Sequence, residues 1–68
     1  MITVIVSDIN QISILEDLLR KAKVDFGVTL RRENLALATP YMEVDGVPLD
    51  LTASITYITE LIERNAHE

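Results

Sequence analysis

The sequence predicts a small α/β domain with the element order β-α-β-β-β-α and a four-stranded mixed sheet. Three observations predict it. Ile2 to Val6 is a nearly unbroken run of β-branched and apolar residues. The stretch from Ile12 to Leu30 passes from helical spacing to strict alternation. Near the middle of the second half, Asp45-Gly46 lies between apolar residues and is followed by a second helical stripe.

A run such as Ile2 to Val6 suits a strand buried on both faces, as a central strand is. Next, Asp8 and Gln11 fit a capping box, in which each side chain satisfies a backbone donor of the first helical turn. Asn10 is a rival cap. Ile12, Leu15, Leu18, Leu19 and Ala22 then form one helical stripe, with Glu16, Asp17, Arg20, Lys21 and Lys23 left largely for solvent. Val24 to Leu30 alternates, with Phe26, Val28 and Leu30 on one face. Strand, helix and strand make a βαβ unit with parallel strands and a right-handed crossover.

Arg31-Arg32-Glu33-Asn34 is a polar connector. Leu35 to Ala38 reads either as one helical turn or as extended chain, and Pro40 drives Thr39 toward the extended form. Asp45-Gly46 supplies the positive φ angles of a type I′ hairpin turn. Pro48 has no ladder donor, which places the last strand at an edge. Asp50 or Thr52 caps the final helix, whose expected stripe is Leu51, Ile55, Ile58, Leu61 and Ile62. Tyr57 lies just off that stripe, and Asn65 to Glu68 is expected to fray.

With 68 residues the chain reads as one domain, residues 1–68, with a core too small to be more than marginally stable. An apolar content of 49% argues against disorder. No apolar run approaches the roughly 18 residues that cross a bilayer, and Met1 to Val6 has no basic region of a signal peptide. The net charge of −5 disfavours nucleic acid and anionic membranes as partners. There is no cysteine, so no disulfide, no thiol nucleophile and no thiolate metal site; a cytoplasmic location fits.

The segment from Thr39-Pro40 through Asp45-Gly46 to Ile58 resembles the C-terminal half of glutaredoxins and of the N-terminal domain of glutathione transferases. The resemblance spans roughly Met1 to Glu63 and implies a minimal thioredoxin fold of the glutaredoxin type. It implies a cis peptide bond at Pro40, beside the groove where the family works. Two departures are large. The positions of the family's Cys-x-x-Cys fall on Ile9 and Ile12, so this chain has no thiol to attack a disulfide. Between Leu30 and Pro40 there is no room for the family's full second helix, which is expected to be shortened or absent. In the family, glutathione pairs with the main chain before the proline, here Thr39, and its γ-glutamyl end meets the start of the last helix. Asp50, Thr52 and Ser54 are nearby, but the transferase Glu-Ser pattern falls on Asp50-Leu51.

These residues point to a redox-inactive protein-binding module, with no catalytic residue, no cofactor and no metal. The expected surface is Ser7, Asp8, Ile9 and Asn10 with Thr39, Pro40 and Tyr41, and with Arg31 and Arg32 at its rim. Each has a plainer structural role: helix cap, turn proline or solvated connector. Ile9, exposed where the family has its cysteine, would suit an interface, and Tyr41 would be a binding anchor. Ser7 and His67 do not make a catalytic pair, because His67 falls in the tail expected to fray and a base must be held within hydrogen-bond reach of its nucleophile, and Asp8, Asp45 and Asp50 all have capping or turn roles. Size and economy suggest a phage or mobile-element product that modulates a host protein. The alternatives are a non-catalytic glutathione or peptide binder, and a homodimer formed through an exposed sheet edge.

Overall fold

A computed structural model describes residues 1–66. Its elements are β1 (Ile2–Val6), a 3-10 turn (Ile9–Gln11), α1 (Ile12–Ala22), β2 (Phe26–Leu30), β3 (Tyr41–Val44), β4 (Val47–Leu49) and α2 (Leu51–Ala66). The four strands form one mixed sheet in the order β2-β1-β3-β4. Strands β1 and β2 are parallel, β1 and β3 antiparallel, and β3 and β4 antiparallel. This is the arrangement of a minimal thioredoxin fold from which the second helix is absent.

Strand β1 sits at the centre. Ile2, Val4 and Val6 point to one face and join Leu15, Leu19 and Ala22 of α1, Met42 of β3 and Ile58 of α2 in a single core. Both helices therefore cover the same face of the sheet. Burying each of the larger aliphatic side chains contributes about 1.5–3 kcal/mol. Ile5 points to the other face, opposite Tyr41 of β3, and both are fully buried. No helix lies on that face. The connection from β2 to β3 joins strands on opposite sides of β1, and its Leu35 and Leu37 are half-buried.

Local chemistry explains the element ends. Asp8 caps the 3-10 turn, which runs straight into α1, and the capping box with Gln11 is complete. Asn10 is not the cap; its N–H donates to Asp8. Helix α1 stops at Lys23, a left-handed residue whose N–H returns to Leu19 and Arg20. That turn takes Val24 out of the strand predicted over 24–30, and β2 begins at Phe26. Asp45 (φ 51°) and Gly46 (φ 85°) make the expected turn with two positive φ angles between β3 and β4. Pro48 lies in β4, an edge strand, as expected. Asp50 caps α2 by accepting from the Ala53 N–H at 2.8 Å.

Three expectations need correction. Leu35 to Ala38 forms neither a helical turn nor a strand, because the segment bends repeatedly and Asn34 is left-handed. On α2 the buried position expected for Ile55 goes to Ser54, whose hydroxyl donates to the Leu49 carbonyl at 3.0 Å; Ile55 faces solvent. Asn65 and Ala66, expected in the tail, are part of the last helix. Helix α2 reaches Ala66, and the Asn65 side-chain amide donates to the Ala22 carbonyl at 2.6 Å, tying the C-terminal ends of both helices together. His67 and Glu68 lie outside the described residues.

Leu19→Ala should lower unfolding free energy by about 2–5 kcal/mol, because it opens a cavity between α1 and the sheet. Asp50→Ala should lower it by about 1 kcal/mol through the lost cap. Urea titrations of both variants beside the parent check the size and the order of these losses.

Candidate functional site

The C-terminal end of β1 delivers Ser7 to a place where three parts of the chain meet. The first part is the turn that follows it. The Gln11 side-chain oxygen accepts from the Ser7 N–H (2.9 Å), the Asp8 N–H (3.3 Å) and the Ser7 hydroxyl (3.2 Å). The Asp8 carboxylate accepts from the Asn10 N–H (2.9 Å), and the Gln11 N–H donates to the Asp8 carbonyl (3.0 Å). The second part is Thr39, whose hydroxyl lies 2.8 Å from that of Ser7. Either hydroxyl can donate in this contact. The third is Arg32, whose Nε donates to the Ser7 carbonyl at 3.4 Å.

Of the predicted residues, Ser7, Asp8, Ile9, Asn10, Arg32 and Thr39 are thus gathered at one end of the sheet, and Pro40 follows Thr39 through a cis peptide bond. Ile9 stands out among them. Its side chain is 68% exposed, on a turn whose neighbours are polar. Ile12, the second isoleucine at a family thiol position, is half-buried against the core. Arg31 is exposed, but its N–H continues the parallel ladder to the Val6 carbonyl at 2.8 Å, and no side-chain contact joins it to the turn.

Tyr41 is a correction. It was expected as a surface anchor, yet it is fully buried, because it starts β3 opposite Ile5 of the central strand. Its hydroxyl finds no hydrogen-bond partner among the described residues. At the start of α2, Ser54 is buried and its hydroxyl donates to the Leu49 carbonyl, the Asp50 carboxylate accepts from the Ala53 N–H, and Thr52 is exposed. Sequence reasoning assigned Gln11 only to a cap. Its role in fixing Ser7, and through Ser7 the link to Thr39, has no local signal, since the two hydroxyls come from distant parts of the chain.

Among the described residues no group of three or more His, Cys, Asp or Glu is placed to hold a metal ion, and no helix is long and apolar enough to cross a membrane. No protein-family model, curated protein or solved structure matches the chain.

Tyr41→Phe should leave stability unchanged or raise it by up to about 1 kcal/mol, because it removes a buried hydroxyl that has no partner. A measured loss greater than that would mean the hydroxyl is bonded in solution. A double-mutant cycle on Ser7→Ala and Thr39→Val should return a coupling of about 1 kcal/mol for the hydroxyl pair.

Proposed function

We propose that the chain is a non-enzymatic protein-binding module on a redox-inactive, glutaredoxin-like scaffold. Its contact surface is the Ser7 to Asn10 turn with Arg32, Thr39 and Pro40. The observation that carries this reading is the exposed side chain of Ile9 on a turn fixed from three sides. An apolar group held on a preorganised turn costs little ordering entropy when a partner covers it. It supplies the buried centre of a contact, with Asp8, Asn10 and Arg32 as a polar rim.

The lack of cysteine supports the same reading, since Ile9 and Ile12 occupy the positions where the resembling family has its thiols. A thiolate there would do chemistry; an isoleucine offers only surface. The hydroxyls at the site are bonded to one another and to Gln11, and no histidine is among the site residues to activate them.

Tagged parent protein and the Ile9→Asp variant should differ in capture from lysate of the cells in which the chain occurs. The parent should retain one protein that the variant loses by at least about tenfold, which corresponds to about 1.4 kcal/mol. Matching circular dichroism and amide spectra would show that the variant is folded, as expected for a side chain exposed on a surface turn. Equal capture by both proteins would remove this surface from consideration.

A further inference from the structure

The two edges of the sheet are unequal. Strand β4 is short, contains Pro48 and is thereby blunted against pairing. Strand β2 has none of these protections. It pairs only with β1, and its five residues, Phe26-Gly27-Val28-Thr29-Leu30, include no charge and no proline. Its side chains on the helix-covered face form an apolar strip that the helices fail to cover fully. Phe26 is half-buried, Val28 is 44% exposed and Leu30 is 55% exposed.

We infer that this edge pairs with the β2 edge of a second copy of the chain, antiparallel and centred on Val28, joining two sheets into one. The backbone directions allow it. The Arg31 N–H points inward to Val6, so by strand alternation Gly27 and Thr29 also face β1. Phe26, Val28 and Leu30 then point their N–H and C=O groups outward. An antiparallel pairing about Val28 sets Val28 opposite Val28 of the second copy and Phe26 opposite its Leu30. All of these are outward-pointing residues, so about six backbone hydrogen bonds form. The same register places apolar side chains against apolar ones along the strip.

The charges that flank the strand select this register. Centred on Val28, Asp25 faces Arg31 of the second copy at both ends. A pairing centred on Gly27 would instead set Asp25 against Thr29, and one centred on Thr29 would set Arg31 against Gly27, so neither keeps the opposite charges together. Opposite charges at facing positions stabilise an antiparallel pair, and like charges destabilise it. The sequence around β2 is thus complementary to itself in one register and loses that complementarity in its nearest competitors. A twofold contact between identical surfaces requires that property.

Sedimentation equilibrium of the full chain, up to about 1 mM, tests the pairing. The parent should dimerise reversibly. Asp25→Arg alone and Arg31→Asp alone each set like charges together at both ends, and each should weaken the dimer by about tenfold or more. Mixed in equal amounts, the two variants restore both opposite-charge pairs, so the mixture should recover association as a heterodimer. That recovery would also show that both variants are folded. A parent that stays monomeric throughout would overturn the inference. So would a dimer insensitive to both reversals, or a mixture no more associated than its components.

Discussion

Strand β1 is the constraint on which the rest of this structure depends. It is bonded on both sides, by β2 and β3, and it is buried on both faces, with Val4 and Val6 in the core under the helices and Ile5 beside Tyr41 on the other face. A domain this small has room for one such strand. Almost every apolar residue of Ile2 to Val6 is consumed in building it. The strand then ends abruptly in Ser7, and its rigidity passes to the turn that follows. Helix α1, Thr39 and Arg32 each make their link to the turn through Ser7 or Gln11.

The shortened connection between β2 and β3 has a structural consequence at each of its ends. At one end it is bent chain that carries the half-buried Leu35 and Leu37 and leads into the buried Tyr41. The Tyr41 hydroxyl finds no hydrogen-bond partner among the described residues. At the other end, β2 is an edge strand with Val28 and Leu30 exposed. A shallow hollow lined by Leu30, Arg31, Arg32 and Glu33 lies where this connection leaves the sheet.

Features set by near neighbours in the chain were legible before any coordinates. The Asp8–Gln11 capping box, the Asp45-Gly46 turn, the Asp50 cap and the Pro48 edge strand each arise from a few consecutive residues with one strong conformational preference. The βαβ unit and the hairpin together predicted a mixed four-stranded sheet, but not that β3 would pair with β1 rather than with β2. What escaped depends on contacts between distant segments. Tyr41 looks like a surface residue until β3 pairs with β1 and sets it opposite Ile5. Ile55 and Ser54 are consecutive on α2, about 100° apart, and the buried place goes to Ser54, whose hydroxyl donates to the Leu49 carbonyl. At the site, the turn was legible as a cap, and Ile9 as its exposed member; the hydroxyl bridge from Ser7 to Thr39 was not.

The central claim is that a core strand presents a preorganised apolar anchor. Backbone 15N relaxation of the free protein tests it most directly. If the hydrogen bonds around Ser7 and Gln11 hold the turn, order parameters for Ile9 to Gln11 should match those of α1, at about 0.85. Values below about 0.6 across the turn, with α1 rigid, would show a loose loop and contradict the account.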